Sequence, residues 1–444
     1  MPKIFYPIIV FFLSLLCFAQ QNSFKFDFGK GKAEKGFIKV TPETKYNVKT
    51  GYGFDFDSEV QAETRGGKGV KKDFITGTKP FYFSVKLPEG NYDVKLVLGD
   101  VKGTSATTVR AECRRLMLEN IKTKQGETTE QTFTVHVRDS LIRDEKGNII
   151  DKLKLKKREG NHLHWDNVLT LEFTDSIPKV CAVEITPNKT AATIFLAGDS
   201  TVTDQPGHPY ASWGQMFPVF LVPSTIAVAN YAESGETMLA FERENRLKKI
   251  WSMAKPGDYL FIEFTHNDQK PGGNHLEPFT TFKDKLKEWI AEARKRKLTP
   301  VLVTSTNRRN FDAEGHIVNT LLEYPEAMRQ NAKEENVALI DLTAMSKTFY
   351  EALGEQESMK ALVHYPANTF PNQEKELQDN THFSPYGAYE LAECVVSSIS
   401  SLGLPLAKYI RKDVKKFDPA KPLAPVQFYW PASSFTNTRK PDGN

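Results

Sequence analysis

Cysteine is scarce in this sequence, and its spacing indicates little pairing. Only four of the 444 residues are cysteine, and one of them, Cys17, lies in an apolar N-terminal segment. The other three, Cys113, Cys181 and Cys394, are odd in number and far apart, which excludes a disulfide framework. Small buried thiols are the favoured interpretation, with a single bridge between Cys113 and Cys181 as the alternative.

Metal-ligand patterns are also missing. Neither CxxC nor HExxH occurs, and the nine histidines are scattered, with His162 and His164 of HLH as the one close pair. The sequence therefore predicts no metal site and no cofactor.

Charge of one sign does not dominate either. The formal net charge is +4, and it falls to +3 once a leader that contains Lys3 is removed. Such a mild balance argues against a nucleic-acid partner.

Long hydrophobic runs are absent beyond the N-terminus. Residues 4–18 are apolar, but they are fewer than the ~20 residues that span a bilayer. A basic residue before this run and small residues at Cys17 and Ala19 predict a signal peptide over residues 1–19. The mature protein is therefore expected to be secreted or periplasmic, without a membrane segment. A lipidated Cys17 is the alternative, which Leu16 disfavours because a small residue usually stands there.

Residues 22–187 have the alternating rhythm of antiparallel strands. Gly, Pro, Asn and charged clusters separate short alternating runs such as FKFDFG, FYFSVKL, YDVKLVLG, TFTVHVRD, LTLEF and VCAVEITP. This pattern predicts an all-β sandwich of the jelly-roll type. PEGNYDVKLVLGD and the early FDFG resemble the galactose-binding-like modules of polysaccharide-degrading enzymes. Such modules sometimes carry a structural calcium ion, although no residue pattern here identifies one.

The segment HLHWDN at residues 162–167 has two interpretations. In one, Trp165 stacks on a sugar ring of a bound polysaccharide; in the other, it covers the edge of the sandwich. Both remain open, and Trp165 is retained as a candidate substrate contact.

Residues 191–404 change to an alternation of strands and helices. Apolar runs at TIFLAG, IAVANYA, YLFIEF, PVLVTS and VALIDL alternate with segments of helical periodicity such as FKDKLKEWIAEARKRK. This alternation predicts a doubly wound parallel sheet covered on both faces. A last helix is expected from about Pro385. Residues 405–444, rich in Pro and Lys, are expected to lie along the surface as a C-terminal tail.

The predicted strand ends carry the parts of a serine hydrolase. A hydroxyl becomes a nucleophile when a base removes its proton, a third group orients the base and fixed donors stabilise the oxyanion. Ser200 follows the first strand, Gly235 the second and Asn267 the third. Asp379 and His382 lie in the predicted loop before the last helix, at a spacing that lets the carboxylate reach the imidazole. Because open α/β sheets bind ligands at the carboxyl ends of their strands, these groups are expected to meet.

Four short motifs carry a family resemblance. GDST at residues 198–201, NxAxxG at 230–235, HND at 266–268 and DxxH at 379–382 occur in this order. They resemble the four blocks of the SGNH or GDSL hydrolases, and within that superfamily residues 191–402 resemble the rhamnogalacturonan acetylesterases. The resemblance implies a flavodoxin-like α/β domain.

The resemblance also implies a role for each matched residue. Ser200 would be the nucleophile, His382 the general base and Asp379 the group that fixes the tautomer of the imidazole. The oxyanion would be held by the backbone N–H groups of Ser200 and Gly235 and by the side-chain amide of Asn267.

Polar residues next to the motifs have structural interpretations. Thr265 stands where the third block of the family usually has glycine, which puts the conformation of that loop in doubt. His266 is expected to be a structural hydrogen-bonding residue rather than a second base. Asp199 and Asp268 are expected to brace their loops.

Arg308 and Arg309 follow the fourth predicted strand. They are either a solvated pair or substrate contacts at the cleft, where a guanidinium suits a carboxylate.

The sequence therefore predicts an exported two-domain carbohydrate esterase without a cofactor. Its expected partner is an acetylated acidic polysaccharide, rhamnogalacturonan, which it would deacetylate through an acetyl-Ser200 intermediate. The enzymatic alternatives are an acetyl ester of another glycan, such as xylan, and a lipid or aryl ester. A noncatalytic glycan-binding protein is the alternative of another class, which the intact Ser200, Asp379 and His382 disfavour.

Overall fold

A computed structural model describes residues 23–442 of the chain. The predicted signal peptide, at residues 1–19, lies outside the described residues. Within the described range, no helix combines the length and the apolar character needed to cross a bilayer. A β-rich part extends to Pro187, and an α/β part begins shortly after it, at Ala192.

The β-rich part is built from two facing sheets. Its strands, β1 to β14 in chain order, are Phe24–Phe28, Ile38–Val40, Tyr52–Asp55, Gln61–Thr64, Asp73–Thr76, Phe81–Lys86, Gly90–Gly99, Ser105–Ala111, Arg115–Thr123, Thr128–Val137, Leu141–Arg143, Ile149–Lys152, Val168–Ile177 and Lys179–Pro187. One sheet has the order β10-β7-β14-β1-β2, with β5 and β4 added beside β14, and the other has the order β3-β6-β13-β8-β9. Phe26 and Phe83, one from each sheet, are in ring contact in the core between them. The predicted all-β sandwich is confirmed.

The α/β part is built around a five-stranded parallel sheet. Its strands, β15 to β23, are Ala192–Gly198, His208–Pro209, Ile226–Asn230, Tyr259–Glu263, Thr299–Val303, Ala338–Ile340, Leu362–Tyr365, Leu377–Phe383 and Thr436–Asn437. Helices α1 to α7 are Trp213–Met216, Met238–Arg243, Arg246–Met253, Lys283–Lys295, Tyr324–Glu334, Leu342–Glu357 and Pro385–Ser401. The sheet order β17-β15-β18-β19-β20 is wholly parallel and is the flavodoxin-like order. The predicted doubly wound domain is confirmed.

Strand β15 shows why this part forms a sheet covered on both faces. Ile194 and Leu196 belong to the apolar cluster that includes helix α7, whereas Phe195 and Ala197 belong to the cluster that includes helix α4. Successive side chains therefore point to opposite faces, and both faces are apolar because each is covered by helices. Ser200 follows this run at the carboxyl edge of the sheet.

The two parts meet at a buried polar interface centred on Asp204. Its Oδ2 lies 3.2 Å from Nε of Arg115 and 3.6 Å from Nη2 of Arg138, both from the β-rich part. The side-chain amide of Asn230 donates to Oδ1 at 2.9 Å. Arg115 also donates to the carbonyl oxygen of Val228 in β17 at 3.2 Å. All three charged side chains are buried, so the contact fixes the two parts relative to each other.

A second buried ion pair joins helix α3 to the β-rich part. Lys249 Nζ lies 2.7 Å from a carboxylate oxygen of Glu89 and 3.3 Å from one of Asp139. Burial raises the pKa of Glu89 to about 7, although the ammonium group of Lys249 opposes this shift.

Cys113, Cys181 and Cys394 are free and buried in the described part of the chain. Burial raises the pKa of all three thiols, that of Cys181 to about 12. The structure therefore agrees with buried thiols and not with a bridge between Cys113 and Cys181.

The segment after helix α7 returns across both parts of the molecule. The guanidinium of Arg110 donates to the carbonyl oxygen of Pro431 at 2.7 Å and lies 4.3 Å from the ring centre of Trp430. Strand β23 then pairs in parallel with β16. We call residues 431–442 the C-terminal strap, because they connect the β-rich part to the α/β part.

We expect Asp204→Asn to lower the free energy of unfolding by about 3 kcal/mol or more, since it leaves the buried guanidinium groups of Arg115 and Arg138 without their counter-charge. Urea unfolding followed by tryptophan fluorescence measures the change. Glu59→Gln is the matched control, because Glu59 pairs with Lys79 at the exposed surface, and it should leave the free energy of unfolding nearly unchanged. Equal effects of the two substitutions would show that Asp204 does not anchor the interface.

Candidate active site

The turn after β15 places Ser200 at the carboxyl edge of the parallel sheet. A Cβ at Gly198 would lie 2.9 Å from the carbonyl oxygen of Glu263, so glycine allows the strand to end this close to its neighbour. Asp199 then accepts hydrogen bonds from the backbone N–H and the hydroxyl of Thr201, at 3.0 and 2.9 Å. These bonds hold the turn that presents Ser200.

Ser200, His382 and Asp379 form a continuous chain of hydrogen bonds. Ser200 Oγ lies 2.9 Å from His382 Nε2, and His382 Nδ1 lies 2.7 Å from Asp379 Oδ2. All three residues are buried. Asp379 and His382 lie on the short strand β22, which pairs with β21, and not in a loop as the sequence analysis expected. Asp379 is paired with Val363 in this ladder, and the register shifts between Asp379 and Phe383, so His382 lies in an irregular part of the strand just before helix α7.

The surroundings of Asp379 favour its ionised form. Burial raises the pKa of this carboxyl, but the hydrogen bond and charge of His382 and the backbone N–H groups of His382 and Thr381 outweigh burial, so the pKa is lowered overall. The two N–H groups donate to Oδ1 at 3.1 and 2.9 Å. An ionised Asp379 accepts the Nδ1–H of the ring, which leaves Nε2 to accept a proton from Ser200.

The loops after β17 and β18 bring Gly235 and Asn267 to the same edge of the sheet. Gly235 has a φ of +78°, in the left-handed region that favours glycine. The amide of Asn267 donates to the carbonyl oxygen of Glu236 at 3.0 Å and accepts from Lys270 at 3.0 Å. Because an amide carries two N–H donors, one remains for a ligand after the bond to Glu236.

His266, Asp199 and Asp268 have the bracing contacts that the sequence analysis expected of them. His266 Nε2 donates to the carbonyl oxygen of Thr306 at 3.0 Å, and its Nδ1 lies 3.5 Å from Asp199 Oδ2. Asp268 accepts the backbone N–H of Met238 at 2.8 Å, at the start of helix α2. Burial raises the pKa of Asp268 to about 8.

Thr265 is accommodated where the family usually has glycine. Its side chain is buried, and its hydroxyl donates to the carbonyl oxygen of Phe264. The loop still carries Asn267 to the edge of the sheet, so the departure leaves the position of the amide donor intact.

The two arginines after β19 have different surroundings. Arg309 is 8% exposed, and its guanidinium donates to the hydroxyl of Ser358 at 2.9 Å and to a backbone carbonyl of helix α6. Arg309 therefore braces the fold, and its prediction as a substrate contact is wrong. Arg308 is half-buried, and burial lowers its pKa, whereas the carboxylates of Asp199 and Asp379 act in the opposite direction. Its guanidinium donates to the carbonyl and hydroxyl oxygens of Thr320 at 3.3 Å and to the carbonyl oxygen of His266 at 3.5 Å, so Arg308 lies against the loop that carries Asn267.

Lys270, Arg308 and Lys440 form a group that we call the cationic cluster. Burial lowers the pKa of Lys270, and the positive charges of Arg308 and Lys440 lower it further. Lys440 Nζ also lies 3.9 Å from Asp379 Oδ1. The cluster therefore places one positive charge, that of Lys440, beside Asp379 and two, those of Lys270 and Arg308, on the loop that carries Asn267.

Trp165 is covered by its neighbours and is only 8% exposed. Its ring stacks on Tyr231, with ring centres 5.6 Å apart, and the guanidinium of Arg138 lies 4.5 Å from the centre of a ring. Its Nε1 donates to Glu159 at 3.1 Å. The interpretation of Trp165 as a sugar platform is wrong, because this side chain is packed in the contact between the two parts.

A cavity of about 390 Å³ lies next to the hydrogen-bonded chain without being lined by it: Gln205, in its wall, donates to the carbonyl oxygen of Ser200 at 2.7 Å, and Lys440, also in its wall, lies 3.9 Å from Asp379. Its walls come from residues 158–163 of the β-rich part, residues 203–210 of the α/β part and the C-terminal strap. Tyr210 lines the cavity, and its ring also contacts the His382 ring, with centres 5.9 Å apart. Cys113 and the loop of Glu233 and Ser234 complete the wall, so the cavity is shared by segments of both parts that are distant in sequence.

The end of the C-terminal strap lies next to the residues that surround Ser200. Asp442 Cβ is 3.3 Å from the position that a Cβ on Gly235 would occupy. Asp442 is also paired with Arg158 of the β-rich part. Ser200 is only 2% exposed. The strap therefore covers one side of the site.

Sequence reasoning missed several residues that shape this site. Arg114 of the β-rich part donates to the carbonyl oxygens of Gln205 and Tyr210, at 3.4 and 3.0 Å, and so holds the cavity wall. The available signal was the pair Arg114 and Arg115 beside apolar strand residues. That signal marks buried partners without saying which carbonyl groups or carboxylates they meet.

Comparison with known families matches one segment in each part. Residues 24–143 match the family described as "Beta-agarase/YXIM esterase-like, galactose-binding domain-like". Residues 194–395 match the family described as "GDSL-like Lipase/Acylhydrolase".

Two curated proteins of Bacillus subtilis (strain 168) are similar to this chain. Rhamnogalacturonan acetylesterase RhgT is 46% identical over 219 residues, which are 49% of this chain and 93% of RhgT. Uncharacterized esterase YxiM is 29% identical over 407 residues, which are 88% of this chain and 96% of YxiM. A crystal structure of YxiM covers 86% of this chain and 99% of its own, with a TM-score of 0.45 and 27% identity.

We expect removal of residues 438–444 to increase the reactivity of Ser200 several-fold, because Asp442 and Lys440 then no longer cover the site. The rate of inactivation by a small sulfonyl fluoride measures this reactivity directly. The truncation retains β23, and a melting curve reports whether the fold is kept. Lys421→Ala, an exposed change earlier in the tail, is the control and should react like the full chain. An unchanged inactivation rate in the truncated protein would show that the strap does not restrict access.

Proposed function

This chain belongs to the GDSL-like lipase and acylhydrolase family and is a serine ester hydrolase, and on that basis we propose that it removes acetyl groups from rhamnogalacturonan. The hydrogen-bonded chain from Ser200 through His382 to Asp379 is the observation that carries the ester chemistry. The cationic cluster supports an acidic polysaccharide as the substrate. The name of the relative RhgT, a rhamnogalacturonan acetylesterase, supports the same choice.

Acylation begins at Ser200. Its Oγ attacks the acetyl carbonyl carbon while His382 Nε2, 2.9 Å away, accepts the hydroxyl proton. The tetrahedral intermediate then expels the sugar oxygen. This oxygen receives from His382 the proton that came from Ser200, and it leaves as a sugar hydroxyl. Acetyl-Ser200 remains.

Deacylation repeats the same proton transfers with water. His382 removes a proton from a water molecule that attacks acetyl-Ser200, and then returns it to Ser200 Oγ as acetate leaves. Asp379 stays ionised throughout and stabilises the imidazolium that forms in each half-reaction. The cycle consumes one water, releases one acetate and regenerates Ser200.

The negative charge of each tetrahedral intermediate needs donors that are already in place. The backbone N–H groups of Ser200 and Gly235 and the side-chain amide of Asn267 would supply them. The bonds of Asn267 to Glu236 and Lys270 restrict its amide before substrate binds, which lowers the reorganisation needed in the transition state.

The proposed substrate follows from charge. Rhamnogalacturonan alternates rhamnose with galacturonate, so each repeat brings a carboxylate to the site. Lys440 lies 3.9 Å from Asp379, Lys270 bonds to Asn267 and Arg308 contacts the loop that carries Asn267, so the three cations would bind such carboxylates around the scissile acetyl group. Arg158 also lies in the cavity wall, but its guanidinium is already paired with Glu233 and Asp442.

The deciding experiment compares acetate release from acetylated rhamnogalacturonan and acetylated xylan at matched acetyl concentrations. We expect the acidic polymer to be deacetylated with the higher kcat/KM. A preference for xylan would contradict the proposed substrate and leave the serine-esterase chemistry intact.

We expect Ser200→Ala to reduce turnover by about 10⁴-fold or more, because no acyl acceptor remains. Initial rates on a small acetyl ester measure the loss, and circular dichroism checks the fold. Ser252→Ala on helix α3 is the control, since this hydroxyl only bonds the carbonyl of Lys249. A Ser200→Ala enzyme that kept a tenth of the wild-type rate would exclude Ser200 as the nucleophile.

We expect Arg308→Ala to raise KM for acetylated rhamnogalacturonan while changing little for a small neutral acetyl ester, which has no carboxylate to bind. Added salt should reproduce part of this loss, because screening shortens the Debye length to about 10 Å at 0.1 M. Arg296→Ala, at the exposed end of helix α4, is the matched control. Equal losses on the polymer and the neutral ester would assign Arg308 to the fold and not to substrate binding.

A further inference from the structure

His162, His164 and Glu233 converge beside the active-site cavity. One ligand-type atom from each lies within 4.8 Å of the other two. The histidines belong to the β-rich part, whereas Glu233 belongs to the loop after β17 that also holds Gly235. Between residues 23 and 442, this is the one group of three such side chains close enough to share an ion.

The imidazole groups lack partners at this point. Both ring nitrogens of His164 and Nδ1 of His162 are buried without a hydrogen-bond partner among the described residues. His164 is only 1% exposed, so bulk water does not replace those bonds. The two rings lie nearly at right angles, with centres 5.3 Å apart. Buried polar atoms normally have partners, so these nitrogens, which no protein group engages, are available to a ligand.

Glu233 keeps one carboxylate oxygen for an ion beside its charged neighbours. Arg158 Nη2 donates to Glu233 Oε1 at 2.7 Å, which leaves Oε2 as the second donor oxygen. Arg138 is directed to the carbonyl oxygen of His164 at 3.1 Å and not to its ring. The group is therefore a mixed set of nitrogen and oxygen donors and not a patch of carboxylates.

We propose that His162, His164 and Glu233 bind a divalent transition-metal ion of the zinc class. Two imidazole nitrogens and one carboxylate suit Zn²⁺ and its neighbours, whereas Ca²⁺ and Mg²⁺ take oxygen ligands. Zinc bonds to such donors are about 2.0–2.2 Å long, so the ligand atoms, now within 4.8 Å of one another, must move closer together to share the ion.

The ion has a defined place in the architecture. It joins residues 162–164 of the β-rich part to the loop that carries Gly235, and so stiffens the cavity wall to which His162 and Glu233 belong. His162 and Glu233 line the cavity, so the remaining coordination position opens into it for water or another oxygen ligand. This assignment is independent of which ester the enzyme hydrolyses.

The test measures metal binding without substrate. The full chain is stripped with a chelator, titrated calorimetrically with Zn²⁺ and, separately, followed by visible absorption on adding Co²⁺. We expect one equivalent of Zn²⁺ to bind with a micromolar or lower Kd, and Co²⁺ to give the absorption of a low-coordinate site with nitrogen ligands. Zn²⁺ should also raise the Tm, since it binds the folded chain.

Variants assign the site to its residues. His162→Ala, at the half-buried ligand, should weaken Zn²⁺ binding by more than about tenfold and abolish the Co²⁺ absorption. His316→Ala, at an exposed histidine far from this group in sequence, is the matched control and should bind as the wild type does. His164→Asn tests the buried ligand. If the His164→Asn protein does not fold, Glu233→Gln takes its place as the second test of the site. Wild-type Zn²⁺ affinity in His162→Ala, or a preference for Ca²⁺ over Zn²⁺, would overturn the proposal.

Discussion

The ion pairs of Asp204 with Arg115 and Arg138 anchor the α/β part to the β-rich part. They join the loop that follows Ser200 to the β-rich part, with every charged atom out of water. Buried charges are tolerated only when they are paired. Separating the two parts would therefore leave these charges either exposed to water or buried without a partner, at a cost in free energy. The bond from Arg115 to the backbone of Val228 extends the same constraint to strand β17. The cavity and its neighbouring loops inherit their positions from this contact.

A composite cavity follows from that arrangement. A free-standing flavodoxin-like sheet would present Ser200 at an open edge, whereas here the β-rich part and the C-terminal strap enclose one side. Arg114 fixes the wall formed by Gln205 and Tyr210, and Asp442 reaches the neighbourhood of Gly235. The β-rich part is thus part of the site and not an appended module. Substrate selection is therefore expected to depend on both parts.

The fold and the reacting residues could be predicted from the sequence because their signals are local. Runs such as IFLAG are apolar at every position since both faces of β15 are covered, and that identifies a buried parallel strand. The residues that follow parallel strands lie at one edge of the sheet, and this rule predicts that Ser200, Gly235 and Asn267 lie close together. The spacing of Asp379 and His382 likewise allows their direct hydrogen bond.

Which of these side chains can contact a substrate depends on the tertiary structure. Arg308 and Arg309 are adjacent and chemically identical, yet Arg309 donates to Ser358 at the end of helix α6, whereas Arg308 donates to Thr320 and to the carbonyl oxygen of His266 in the loop that carries Asn267. The sequence is equally compatible with Trp165 as a sugar contact or as a packing residue. The stacking of Tyr231 on its ring decides for packing. The sequence by itself determined the two folds and the order of the reacting groups, because periodicity and strand-end position are properties of neighbouring residues. The enclosure of the cavity and the meeting of the HLH histidines with a glutamate of the other part depend on contacts between distant segments, which no local pattern encodes.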